Sequence, residues 1–278
     1  MKTRVSLTID EEIISKLDKR IDGISTKSRS DSIEKILREH LTGQKTAIIL
    51  AGGDPQKLFL DGTDILRPCV NIGKTTLIED TVSKCREAGF SNIVIIGFPT
   101  VISKLYEILG SGEKYKVKIV YIEEEKSLGS AKTLELAMNY IKSDFLFLSS
   151  TFYIGFDLRK LAEFHNIYGG VATIGVHART SYDWKKSIID MEGYKIISFE
   201  ESPKKPKTKL AGVLAGFMKS EIFNYIPPGE IHWSIQENIF PKLSAEGKLV
   251  GFHIGGNWIN VHNESDVRKV IQLMKKQK

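Results

Sequence analysis

The residues best placed for chemistry in this sequence are Gly52 and Gly53, the paired glycines that end the run Lys45-Thr46-Ala47-Ile48-Ile49-Leu50-Ala51. Neither carries a Cβ, so the backbone can approach a bound group closely. The apolar run before them is too short for a helix, and a helical pattern follows within thirty residues, which reads as the first buried strand of a parallel sheet. Ligands of open α/β sheets bind in the crevice at the carboxyl ends of the strands, where this glycine pair would stand; the other role open to such glycines is a tight turn alone. A second set of chemically capable residues lies at the start, where Arg4, Ser6 and Thr8 alternate with Val5, Leu7 and Ile9. A strand there would have one apolar face and one hydrogen-bonding, partly cationic face. The two cysteines, Cys69 and Cys85, have no metal-ligand spacing, so neither a disulfide framework nor a zinc site is expected, and both read as small buried hydrophobes.

The elements that must position these residues fall into two groups. With 278 residues, 41% hydrophobic and 27% charged, the chain can bury a sizeable core in one or two domains. It has no apolar run near the roughly 18 residues of a spanning helix, and its start alternates instead of presenting a signal-peptide core. The expectation is a cytoplasmic protein with no membrane partner. The net charge of +6 permits an acidic partner without requiring one.

Residues 1–43 predict strand, helix, helix. Asp10 caps a first helix with Ile13, Ile14, Leu17 and Ile21 at helical spacing, and Asp22-Gly23 ends it. A second helix starts near Ser28 or Ser30 with Ile33, Ile36, Leu37 and Leu41 as its stripe. So small a segment needs a second copy to bury its apolar faces, which predicts a homodimer through the N-terminal strands. This order resembles the ribbon-helix-helix DNA-binding domain, the class of the Arc and methionine repressors. The resemblance implies that paired strands enter the major groove of double-stranded DNA with Arg4, Ser6 and Thr8 facing base edges, and that Ser28, Arg29 and Ser30 hold a backbone phosphate. The segment has nine lysines and arginines against eight aspartates and glutamates, a balance that gives little non-specific attraction to DNA. A dimerisation module, or a strand added to the main sheet, is the other reading.

From residue 44 onward, strand and helix signals alternate. Strands are expected at Ala47–Leu50, Ile93–Ile96, Val117–Ile122 and Phe145–Leu148, with helices around Leu77–Ala88, Ile102–Leu109 and from Ala131 to about Ile141. Later strands, near 172–176, 187–191, 195–199 and 214–218, suggest antiparallel additions. The fold class predicted is α/β, a Rossmann-like doubly wound mixed sheet over 44–278. Lys204, Lys205, Lys207 and Lys209 around two prolines read as a solvated loop.

Six stretches in this part, AIILAGG, LGSAKTLELA, FLFLSSTFYIGFDLRKLAEFH, EESP, LAGVLAGFMKSEIF and GNWINVHNESDVRKV, occur in the order found in sugar-phosphate nucleotidyltransferases, which the domain therefore resembles. Such enzymes join a nucleoside triphosphate to a sugar 1-phosphate and release pyrophosphate. The resemblance implies ligand-binding roles for Ala51, Gly52, Gly53, Gly129, Ser130, Glu201 and Gly216, and places the family's arginine and lysine positions at Lys57 and Arg67. It also shows departures. Pro55 replaces a glycine of the phosphate-binding turn, which removes an N–H donor. The two aspartates that hold Mg²⁺ in the family fall on Thr151 and Asn260, both neutral, unless an offset brings in Asp144, Asp157 or Asp266.

Together these readings lead to the expectation of a DNA-binding transcriptional regulator whose catalytically degenerate nucleotidyltransferase-like domain senses a nucleotide or nucleotide sugar, with no cofactor. The alternative is an active sugar-phosphate nucleotidyltransferase, Mg²⁺-dependent and dimerised through the head. A third reading makes the head a module for a protein partner.

Overall fold

The computed structural model describes residues 5–19, 21, 26–41, 45–141, 143–178, 187–255 and 257–276. The chain divides into two compact units, Met1–Gln44 and Lys45–Lys278.

The first unit holds α1 (Glu11–Asp18) and α2 (Arg29–Leu41). Asp10 caps α1 by accepting from the Glu12 N–H at 2.8 Å, which satisfies one of the donors a helix start leaves open. Leu17 of α1 and Ser32 of α2 are buried. Arg29 clasps Asp18 through Nε and Nη2 at 2.7 and 2.8 Å, joining the end of α1 to the start of α2. This pairing holds the Asp18 carboxyl below its ordinary value. The strand expected over Val5–Ile9 is not formed: residues 5–10 join no ladder. A strand exists only through the N–H and C=O groups of a neighbour, which the sequence expectation took from a second copy of the chain. Arg4 lies outside the described residues, as does the Asp22-Gly23 break.

The second unit begins with β1 (Lys45–Ala51), two 3₁₀ turns at Pro55–Leu58 and Arg67–Cys69, α3 (Leu77–Glu87), β2 (Phe90–Gly97), α4 (Pro99–Leu109) and β3 (Lys118–Glu123). It continues through α5 (Ser130–Glu135), β4 (Phe145–Ser149), β5 (Phe152–Gly155), α6 (Leu158–Tyr168), β6 (Ala172–Ala178), β7 (Ser187–Glu192), β8 (Lys195–Glu201) and β9 (Leu210–Met218). The last elements are a π-helical turn at Ile235–Ile239, α7 (Phe240–Ala245), β10 (Leu249–His253), β11 (Asn257–Asn260) and α8 (Glu264–Lys276). Among the described residues, nine strands form one sheet in the order β3-β2-β1-β4-β9-β6-β10-β8-β7, with β7 also touching β9. β1, β2, β3 and β4 run parallel, while β9 is antiparallel to β4 and β6. This is the doubly wound mixed sheet that the sequence predicts.

Both faces of the sheet are covered, which explains why its central strands read as unbroken apolar runs. Ala47, Ile49, Ile93, Ile95, Leu146 and Leu148 pack with Ile78 and Val82 of α3, Leu105 of α4 and Leu161 of α6. Ile48, Leu50, Val94, Ile96 and Phe147 face the other way, toward Leu134 of α5 and Phe240 and Leu243 of α7. The helix expected to reach Ile141 stops at Glu135, because the chain there changes to tighter three-residue bonding, from Ala137 N–H to Leu134 C=O and from Tyr140 N–H to Ala137 C=O. Cys85 is buried and Cys69 half-buried, and burial pushes their thiols up to about 12 and about 11. Among the described residues, no helix is long and apolar enough to cross a membrane.

A small second sheet matters most for position. β5 and β11 pair antiparallel, Phe152 opposite Asn260. They are pinned by a separate cluster in which Leu60, Val70, Ile72 and Leu77 meet Tyr153, Val261 and Val270.

Candidate active site

β1 lies between β2 and β4, both parallel to it. The chain leaves β1 toward β2 on one side and returns to it with β4 on the other. A doubly wound sheet opens a crevice at such a reversal, beyond the carboxyl ends of its strands. Ala51, Gly52 and Gly53 lie there, as do Ser149 at the end of β4 and Ser150 and Thr151 just beyond it.

Gly53 takes φ +94°, a region open mainly to glycine, and its N–H donates to Glu124 Oε2 at 3.0 Å. The other Glu124 oxygen accepts from Thr133 Oγ1 at 2.5 Å. A methyl group on Gly52 would sit 2.2 Å from Glu124 Oε2, so glycine at 52 is what lets the turn close over this carboxylate. Glu124 is 2% exposed. Sequence reasoning passed over it; its only signal was an acidic run, Glu123 to Glu125, at the end of a predicted strand and before a glycine loop. Pro55 opens the 3₁₀ turn, and Asp54 caps it by accepting from Gln56 N–H at 3.0 Å. The departure from a glycine turn thus has a local purpose, and it commits the N–H groups of Gln56 and Lys57, the latter bonded to the Asp54 carbonyl.

The Lys57 side chain is exposed. Arg67 is only 9% exposed, drawn in by the 3₁₀ turn it begins with Pro68. Its Nη1 lies 2.9 Å from His262 Nδ1. A guanidinium only donates, so the imidazole presents a bare Nδ1 there. Arg67 Nε is buried with no hydrogen-bond partner. Burial lowers the guanidinium's affinity for its proton, and the nearby Asp61 carboxylate opposes that.

Thr151 and Asn260, far apart in sequence, are brought together by the β5–β11 pairing. Thr151 Oγ1 donates to Asn260 Oδ1 at 3.1 Å and lies 3.1 Å from Ser149 Oγ, while Val261 N–H bonds the Thr151 carbonyl at 3.0 Å. The side chains of these two positions satisfy each other and carry no charge. The neighbouring aspartates do not replace them. Asp157 caps α6, Asp144 lies 3.3 Å from His165 Nε2, and Asp266 accepts from His262 N–H at 3.2 Å and Lys269 at 3.1 Å. Among the described residues, no group of three or more His, Cys, Asp or Glu is arranged to hold a metal ion. Mg²⁺, which takes oxygen ligands and is usually held through one or two carboxylates plus substrate phosphates, does not fit this donor set.

The remaining predicted positions are explained largely by packing. Gly129 (φ +94°) presses against Trp233, whose carbonyl oxygen a methyl group would meet at 2.6 Å. Ser130 Oγ accepts from Ile235 N–H at 2.9 Å. Gly216 stands between β4 and β6, where a methyl group would lie 1.9 Å from the Thr173 carbonyl oxygen. Glu201 ends β8 in a polar group with Ser187 and Gln236; burial raises its carboxyl, against the hydrogen bonds from Ser187, Ser202 and Gln236.

In the first unit Ser6, Thr8, Ser28, Arg29 and Ser30 are exposed. Ser28 Oγ accepts from Asp31 N–H at 3.1 Å, and Arg29 is engaged by Asp18 as above.

Comparison with known proteins bears on the second unit. The family model described as Nucleotidyl transferase matches residues 46–277. The chain is 28% identical over 227 residues to the mannose-1-phosphate guanyltransferase of Saccharomyces cerevisiae, and 27% identical over 231 residues to the bifunctional protein GlmU of Methanococcus maripaludis. These alignments cover 79% and 80% of this chain but only 62% and 52% of those proteins. In fold it is similar to a Bacillus anthracis protein crystallised with sucrose, a candidate glucose-1-phosphate thymidylyltransferase, with a TM-score of 0.73 at 23% identity over 82% of this chain and 94% of that one. The expectation of a DNA-binding transcriptional regulator is overturned by these relatives, which are enzymes of nucleotidyl transfer. The resemblance of the head to a ribbon-helix-helix domain had no share in the match, which begins at residue 46. With a match that runs from β1 to the end of α8, the chain belongs to the nucleotidyl transferase family.

Proposed function

We propose that residues 45–278 are the transfer unit of a sugar-phosphate nucleotidyltransferase that takes a guanine nucleotide. In the reaction, an oxygen of a sugar 1-phosphate attacks the α-phosphorus of the triphosphate. The bond from that phosphorus to the α,β-bridging oxygen breaks, and pyrophosphate leaves. The observation that carries the reading is the Gly52–Gly53 turn closed over the Glu124 carboxylate at the head of the crevice. A carboxylate can accept about four hydrogen bonds; two are used by Gly53 and Thr133. The carboxylate is buried, so the turn must shift to present the remaining capacity, which complements guanine, with its adjacent N1–H and N2–H donors, better than it complements uracil or thymine. The guanyltransferases among the relatives support the same base. Glu201, with Ser187 and Gln236, supplies a polar group suited to sugar hydroxyls.

The test is pyrophosphate release by the full chain from GTP, UTP, CTP or dTTP in the presence of mannose 1-phosphate or glucose 1-phosphate. GTP is expected to be the preferred donor. No release from any pair would sink the transfer reading, and a preference for UTP or dTTP would sink the guanine assignment.

For the head, we propose that it joins two copies of the chain. Val5 and Leu7 are 70% and 57% exposed, on an extended segment whose backbone joins no ladder, and apolar residues so placed are readily covered by an identical segment.

A further inference from the structure

We propose that this site meets nucleotide phosphates with the Arg67 guanidinium and without a protein-bound divalent cation, so that nucleotide binding persists when Mg²⁺ is removed. The inference rests on the nucleotidyl-transfer reading and specifies how the phosphate charge is neutralised.

At the ends of β4 and β11 the two side chains in position to share a cation are a hydroxyl and an amide, and they are hydrogen-bonded to each other at 3.1 Å. Asn260 Oδ1, the better metal-binding oxygen of the pair, is the acceptor in that bond. The carboxylate of Asp266 is spent on His262 N–H and Lys269. A divalent ion entering here would break the pair and gain no negative charge from it.

A cation is already present at this strand end. Arg67 is attached to the same strand end through His262, two residues beyond Asn260. Its side chain is buried, yet Nε has no partner. A buried guanidinium with an unspent donor is costly unless an acceptor arrives, and phosphate is the anion whose geometry suits a guanidinium fork. A fixed positive charge bonded to His262, two residues along the chain from Asn260, also disfavours a divalent cation at this strand end.

The experiment is calorimetric titration of the full chain with GDP, in excess Mg²⁺ and in EDTA. The expected dissociation constants agree within about threefold. Arg67→Gln is expected to weaken binding about tenfold or more in both buffers. Asn260→Asp, which leaves the buried Arg67 in place, is expected to weaken binding in EDTA and to recover it with Mg²⁺. If EDTA abolishes GDP binding by the unaltered chain, the inference is overturned and the transfer reading stands. If GDP, UDP and dTDP all fail to bind in either buffer, the transfer reading fails and this inference with it. An Arg67→Gln chain that melts like the parent and binds GDP equally well also overturns it; should that variant not fold, the Asn260→Asp result decides.

Discussion

Two glycines in this chain answer to different constraints, and substitution separates them. A methyl group at Gly216 would lie 1.9 Å from the Thr173 carbonyl, inside the sheet where neither strand can move aside. Gly216→Ala is expected to cost about 3 kcal/mol, read from urea unfolding; a cost near zero would show that β6 and β9 can part there. At Gly52 the obstacle is a side chain, the Glu124 carboxylate at 2.2 Å, so Gly52→Ala is expected to strike nucleotide binding before stability. Glu124→Gln keeps the size of the side chain and replaces an acceptor with a donor. It is expected to reduce the preference for GTP over UTP by about tenfold, the order of one hydrogen bond to a charged group. An unchanged ratio in the pyrophosphate assay would remove Glu124 from base recognition.

At the scale of elements, the start of α3 is held by a polar knot that also ties it to the turn before β3. Glu79 accepts from Thr76 N–H at 2.8 Å, from Thr76 Oγ1 at 3.0 Å, from the Tyr115 hydroxyl at 2.5 Å and from Lys114 at 3.2 Å. Burial pushes its carboxyl up, but these hydrogen bonds, Tyr115 foremost, outweigh it and bring the value down from 4.5 to about 2. The folded value lies below the unfolded one. Its contribution, on the order of 2–3 kcal/mol, is therefore present in full above about pH 4.5 and is lost as the pH falls toward 2. Glu79→Gln is expected to lower the melting temperature at pH 7 and to narrow its gap to the parent at pH 3. A gap that does not change with pH would mean that the ionised form of Glu79 adds nothing to the fold. The same knot matters for the site, because α3 supports the cluster of Leu77, Tyr153 and Val261 that brings Thr151 to Asn260.

At the scale of the whole molecule, the two units carry unequal burdens. The second has a sheet covered on both faces and is expected to fold by itself as residues 45–278. The first has few buried apolar side chains among its described residues, Leu17 foremost, and small segments of this kind seldom hold together without a partner. Light scattering is expected to report a dimer for the full chain and a monomer after removal of residues 1–44. A dimer that survives the truncation would locate the contact in the second unit.

The linear order of residues was enough for the doubly wound sheet and the glycine turn at its first strand. Apolar runs of four to six residues alternating with helical periodicity admit few other arrangements, and a glycine pair after such a run has few uses. The resemblance, too, put neutral Thr151 and Asn260 where the family carries its metal-binding aspartates. The linear order could not show that they bond to each other, since β5 and β11 are four residues each, too short to carry a pattern, and their pairing depends on the packing of Tyr153 and Val261 beneath them. Nor could it set Glu124 under Gly53, or give Arg67 a buried place beside His262 with one donor unspent. Contacts of this kind join residues 71 and 195 positions apart. Only the closed tertiary structure brings them within hydrogen-bonding distance, because the energy of those bonds is available only after the sheet has paid the entropy of closing the loops between them.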